Sequence, residues 1–493
     1  MELSKKLFRP ADPRPAPPPA PLKKRPSSFG DAFGRFLRNK ASVAAGIIIG
    51  LLLLFALLTP LFSRYSVGFR DGFYRTMPPA FARSRTLSGP QAVLDMGRAI
   101  GAEYEDSAVK TVKNRVQDPA TGRYYYTLRV DAYEQVGFQY VDLSEAEFAA
   151  LQDYQNETGR QVCYPLPKNY TVFYPAVRSS ANLWYRLADE SPYSTGEAAH
   201  HLPGGEPVLQ ANYLTAPADG SYNSLRLPDD PGTWVYGAKN QTGYRCRVLY
   251  KAYYQYQNGF APRHLLGTNQ HGQDILVCLA SGARLSFLLS ISVSVLNLLI
   301  GILYGAMEGY YGGKLDLLME RFSDILAAVP FIVVATLFQL HLAQKVGGVV
   351  SLLFAFVLTG WIGIAARVRS QFYRFKNAEY VLCARTLGAS GRRIIFRHIL
   401  PNAIGTIITS AVLLIPGVIF TESMLSYLGI VNLEAANLTS IGTMLSGGRQ
   451  YLGTHPYILL FPALFLALLE ISFNLFGNGL RDAFNPVLRG TQE

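Results

Sequence analysis

The chain has 493 residues, 49% of them hydrophobic, with a mean hydropathy of +0.14, which is too apolar for an ordinary soluble enzyme of this length. Its formal charge of +12 would suit nucleic acid, but that charge is localised: residues 1–62 carry ten Lys/Arg against three Asp/Glu, and residues 367–401 carry eight against Glu379 alone. Residues 63–263 are nearly balanced, with 21 basic and 20 acidic side chains. Positive charge beside apolar runs follows the positive-inside rule of membrane proteins, so no nucleic-acid partner is expected.

In chain order, residues 1–40 form a leader. Its stretch 9–26 is proline-rich and basic, hence extended, with cations available to membrane lipid. Residues 29–40 read as a short amphipathic helix at the inner surface. Residues 41–62 contain no charge and cover roughly 30 Å as a helix, the thickness of a bilayer core. This run exceeds a signal peptide's apolar region and no A-x-A site follows it, so it is expected to stay as an anchor.

Residues 63–263 hold 22 of the 30 tyrosines and no run long enough to cross a bilayer. Tyr124–Val130 and Cys246–Tyr256 read as strands, and Leu143–Tyr154 as a helix capped by Ser144 and Glu147. The expectation is an inserted extracytoplasmic α+β domain. Cys163 and Cys246 lie in it, where an oxidising exterior permits either a disulfide or two buried thiols. Asn156, Asn169 and Asn240 head N-x-Thr sequons, which carry no meaning in a bacterial chain. The adjacent His200 and His201 show no catalytic partners, and no Cys/His spacing suggests a metal site.

Five further apolar runs lie near 285–306, 325–343, 348–366, 403–425 and 456–477, giving six transmembrane helices in all. A cytoplasmic N-terminus then puts both basic segments and the tail 481–493 in the cytoplasm, as in a multi-pass membrane protein. Gly301, Gly305 and Gly309 form a small-residue face suited to close helix packing. Glu422 and Glu470 are carboxylates within spans, candidates for lining a water-filled path or for pairing with protein groups.

The densest signal is Glu379–Asn402, EYVLCARTLGASGRRIIFRHILPN, in the loop 367–402 of a core spanning 264–480. It reads as a short helix, a break at Gly388, a basic second helix and a stop at Pro401. This segment resembles the coupling loop of binding-protein-dependent ABC importers. The form typical of dipeptide, oligopeptide and nickel permeases is matched over some twenty residues, with Cys383 where alanine is usual. His264–Ser286, Gly309–Pro330 and Leu475–Arg489 also resemble the family, which departs at Asn269 and Gln273 (usually Asp and Arg) and at Asn478 and Asn485 (usually Asp).

The resemblance implies a six-helix type I ABC importer permease fold and a non-enzymatic subunit. Partners would be a second homologous permease (a heterodimer), two ATP-binding subunits and an extracytoplasmic solute-binding protein. It implies that Glu379, Tyr380, Ala384, Arg385, Gly388, Ala389, Arg393, Pro401 and Asn402 engage the ATPase. No G-x-x-x-x-G-K-[ST] is present, so no cofactor is expected on this chain, and ATP and Mg would be used by the partner subunits. Di- or oligopeptides are the expected cargo. Nickel or another small solute is the alternative, and a membrane-anchored surface receptor is the alternative of a different class.

Overall fold

The computed structural model describes residues 28–90, 109–117, 119–120, 124–160, 162–164, 213–215, 235–239, 241–433 and 439–484. The proline-rich leader, Asn169, Asn240, His200, His201 and the tail from 485 lie outside them. Helix α1 (Ser28–Arg38) leads into α2 (Lys40–Phe62), whose N-cap Asn39 accepts from the Ser42 backbone N–H at 3.3 Å. Phe36 of α1 meets Phe476 edge-on at 5.2 Å, so the amphipathic helix rests on the last helix of the chain. Leu51, Leu54, Leu57 and Leu61 of α2 stay exposed, the outward face of a helix that lies against hydrocarbon.

Strands β1 (Ser84–Pro90), β2 (Val109–Gln117) and β3 (Tyr124–Asp131) form an antiparallel sheet in the order β1-β3-β2. A second sheet contains β4 (Phe138–Ser144), β5 (Cys163–Tyr164), β6 (Tyr213–Thr215), β7 (Val235–Lys239) and β8 (Gly243–Leu249). Its order is β4-β8-β7-β6, with β5 also paired to β8. Helix α3 (Glu145–Thr158) carries the full capping box that Ser144 and Glu147 predict. The Ser144 backbone N–H and hydroxyl hold the Glu147 carboxyl below its ordinary pKa.

The strand expected over Cys246–Tyr256 ends at Leu249, and Tyr250–Asn258 is a helix, α4. Aromatic richness favours a strand, but Tyr250, Tyr253 and Tyr254 have helical spacing and bury one face against Tyr74, Tyr133 and Leu151. Packing of that face overrides the propensity. The Tyr250 hydroxyl donates to Asp71 at 2.8 Å, and burial followed by that carboxylate raises its pKa.

Most of the described residues that follow are helical. Helix α5 (Ile275–Tyr311) has 37 residues, longer than the expected span 285–306, because nothing breaks it between its N-cap Asp274 and Gly312. At 1.5 Å per residue it is about 55 Å long and projects from a bilayer core. Helices α6 (Gly313–Ala327) and α7 (Phe331–His341) bend by 70° across Val329–Pro330. The run 325–343 is therefore a broken span, since Pro330 lacks an N–H and restricts the residue before it.

Helices α8 (Gly348–Gly360) and α9 (Ile362–Phe375) make the fourth run. After the loop helix α10 (Glu379–Thr386), α11 (Leu400–Val412) and α12 (Leu414–Tyr427) make the fifth. The short α13 (Ile441–Gly448) and the final α14 (Tyr457–Phe484) follow. Among the described residues five helices are long and apolar enough to cross a membrane, or six if the bent pair counts as one span.

The glycine face of α5 packs on α9. A Cβ on Gly301 would lie 2.7 Å from the Ile364 Cβ, one on Gly305 would overlap the Ala365 carbonyl oxygen, and one on Gly309 would lie 2.5 Å from the Phe372 Cβ. Gly305→Ala must push the two backbones apart, and is expected to cost about 1–3 kcal/mol. A lowered melting temperature in detergent reports that cost; an unchanged one contradicts this packing.

Candidate coupling loop and polar membrane path

The loop at 379–402 is a folded projection. Helix α10 ends in a Schellman motif: Gly388 N–H donates to Arg385 O and Ala389 N–H to Ala384 O, each at 3.0 Å. Gly388 has φ of +79°, and a Cβ there would find nothing within 4 Å. Its need for glycine on this chain's own account is thus confined to backbone conformation. Val381 and Ala389 anchor the loop to a core formed with Phe372, Ile394, Ile399 and Ala403.

Pro401 has no N–H to give to Arg397, and the preceding residues Ile394–Ile399 form a π-helical turn. Asn402 donates to His398 O at 2.8 Å and to the Tyr380 hydroxyl at 3.4 Å, tying α10 to the start of α11. Of the expected loop residues, Glu379, Tyr380, Arg385, Gly388, Arg393, Pro401 and Asn402 are exposed and Ala389 is half-buried. Ala384 is 9% exposed and faces inward, so its smallness serves this chain's own packing. Leu387, which the motif did not single out, is 87% exposed just before Gly388, and Tyr380 and Leu382 of α10 are exposed too.

A network that sequence reading missed supports this loop. The Arg369 guanidinium on α9 forks onto Asp316 of α6, Nε to Oδ1 at 2.6 Å and Nη2 to Oδ2 at 2.8 Å. It also donates to Glu320 at 2.9 and 3.1 Å, and the Tyr373 hydroxyl donates to Asp316 at 2.6 Å. Lys376 then donates to Gly309 O at 3.2 Å, three residues before α10 begins. The available signal was the four-residue spacing of Asp316 and Glu320, and of Arg369 and Tyr373, which puts each pair on one helix face.

The two intramembrane carboxylates differ. Glu422 is 1% exposed and accepts hydroxyls from Ser286 (3.1 Å), Ser426 (3.1 Å) and Ser440 (2.7 Å), joining α5, α12 and α13. Glu470 is half-buried, with one carboxylate oxygen buried and unbonded, and lies on the same face of α14 as the exposed Asn474 and Asn478. At the end of the bundle opposite the loop, Gln270, His271, Ser426, Asn432, Thr443 and Tyr451 help line an uncharged polar cavity of about 450 Å³.

Cys163 and Cys246 are both buried thiols on the paired strands β5 and β8, as the sequence left open. A hydrogen bond with Cys163, then burial, raises the Cys246 pKa. Asn269 and Gln273, where the family usually has Asp and Arg, still pair: Asn269 Nδ2 donates to Gln273 Oε1 at 2.9 Å.

These elements define a polytopic helical membrane protein with a folded loop projecting from one end. The sequence model of the binding-protein-dependent transport system inner membrane component matches residues 282–490, and that of the N-terminal transmembrane domain of oligopeptide transport permease C matches 27–79. The oligopeptide transport system permease protein OppC of Bacillus subtilis is 43% identical over 226 residues, 46% of this chain and 72% of that protein. The dipeptide transport system permease protein DppC of Lactococcus lactis is 33% identical over 283 residues, 57% of this chain and 80% of that one. Among solved structures, an inward-facing MetNI methionine ABC transporter is 17% identical, covering 42% of this chain and 96% of its own with a TM-score of 0.36. The chain belongs to the binding-protein-dependent transport permeases, in the oligopeptide and dipeptide permease branch, and has their type I ABC importer permease fold.

Proposed function

We propose that the chain is one of two permease subunits of an ABC importer that moves di- or oligopeptides into a bacterial cell. Two ATP-binding subunits on separate chains supply the energy, and an extracytoplasmic solute-binding protein delivers the cargo. Both termini lie in the cytoplasm, and residues 63–263 lie outside as an inserted domain.

The observation that carries this reading is the projection at 379–402. It is rigidly mounted on the spans, yet leaves Tyr380, Leu382 and Leu387 unsheltered and a glycine with free space at its tip. Apolar side chains at the tip of a charged loop fit a protein groove, where burial of apolar surface drives association. Closure of an ATPase pair would move α10, and Val381, Asn402 and the Arg369 cluster would carry that motion to the spans. The relatives named for oligopeptide and dipeptide transport favour peptide cargo.

The test is purification from the native membrane followed by reconstitution. A second permease and two ATPases are expected to co-purify, and proteoliposomes given the binding protein are expected to take up labelled peptide only with ATP. A chain that purifies alone and still binds its ligand at the surface would favour the receptor reading.

A further inference from the structure

Two polar rows mark the fifth and last apolar segments. On α11 and α12, Thr406, Ser410, Gly417 and Thr421 fall on one stripe, at separations of four, seven and four residues, and are open or half-buried. On α14, Glu470, Asn474, Asn478 and Arg481 follow at four, four and three. The Thr406, Ser410 and Thr421 hydroxyls and the Asn474 amide donate to carbonyls of their own helices, whereas the charged Glu470 and Arg481 need water or protein beside them. At the loop end they converge on a cavity of about 420 Å³, lined by Arg367, Gln371, Thr406, Ser410, Leu413 and Arg481 among others.

Among the described residues no carboxylate lines that cavity. Arg367 and Arg481 make no ion pair or hydrogen bond with any described residue. Both arginines are exposed and unpaired among the described residues, and the fixed fork of a guanidinium matches a carboxylate bidentately. Resting on the peptide-import reading above, the structure assigns this cavity as a site for the C-terminal carboxylate of the transported peptide. That group is the one anion every linear peptide carries whatever its side chains, so the site does not restrict sequence. The Thr406, Ser410 and Gln371 side chains, which continue the polar rows, favour a peptide main chain over a lipid tail as its neighbour.

The experiment compares uptake of one labelled peptide, as free acid and as C-terminal amide, by the reconstituted complex and by its Arg367→Gln/Arg481→Gln variant. The same binding protein serves both, so its own preference cancels. The free-acid-to-amide rate ratio is expected to fall about tenfold in the variant, the discrimination of one charge-assisted pair. Membrane level and melting temperature report folding; if the glutamine variant is lost, Arg367→Lys/Arg481→Lys keeps the charge without the fork and is expected to lower the ratio less. An unchanged ratio overturns the proposal. Equal slowing of both forms that follows the anionic lipid content overturns it in favour of a headgroup phosphate. If the wild-type complex imports neither form, the peptide reading itself falls, and this site with it.

Discussion

Gly388→Asp is expected to lower peptide uptake to under about a tenth of wild type while the protein still reaches the membrane in normal amount. Aspartate tolerates the left-handed backbone that Gly388 adopts, at a cost on the order of 1 kcal/mol, and a Cβ there meets nothing within 4 Å of this chain. Folding is therefore nearly indifferent to the change. A partner groove is not, because a charge and added bulk at the tip would face the surface that Leu387 and Tyr380 enter. Loss of a central interface contact of about 2–4 kcal/mol weakens docking roughly 30- to 1000-fold. Uptake and ATPase co-purification at wild-type level would contradict the assignment. Disappearance of the protein from the membrane would show that Gly388 is needed for folding instead.

The second large effect is expected at Arg369. Its guanidinium makes four charge-assisted bonds to Asp316 and Glu320, and Asp316 is only 7% exposed. Arg369→Ala leaves two carboxylates facing each other without the guanidinium that bridges them. Removing one partner of a buried pair costs about 3–5 kcal/mol; with the arginine side chain a quarter exposed, about 2–4 kcal/mol is expected. Arg369→Lys keeps the charge without the fork and should fall between. Thermal melting in detergent reads this directly, and a midpoint unmoved by Arg369→Ala would show that the cluster holds nothing together. Because α9 leads through Lys376 to α10, coupling should fail alongside stability: ATP hydrolysis by the variant complex would no longer depend on peptide delivery.

The apolar runs and the loop were legible in the sequence because each is a local pattern. Hydropathy located five spans, and a sixth if the bent pair at Pro330 counts as one, and the Schellman glycine at 388 announced itself within a single twenty-residue motif. What the sequence hid depends on distant partners. Ser286 and Ser440 are 154 positions apart and meet only on Glu422. Asp316 and Arg369 stand on different helices, and no spacing rule joins them. The bend at Pro330 was foreseeable from proline chemistry but masked by an unbroken apolar run. The helix at Tyr250–Asn258 was misread because aromatic content outweighed a helical period spread over only nine residues.

Cys383, which replaces a family alanine, is a natural probe of the central claim: it is an exposed thiol on α10. A short bifunctional maleimide applied to membranes containing the whole complex should join Cys383 to an ATPase subunit carrying a single cysteine in its groove. The Gly388→Asp form should give no such product. If Cys383 stays freely alkylated, with no ATPase captured, in a complex that imports peptide at full rate, the loop 379–402 is not the coupling surface.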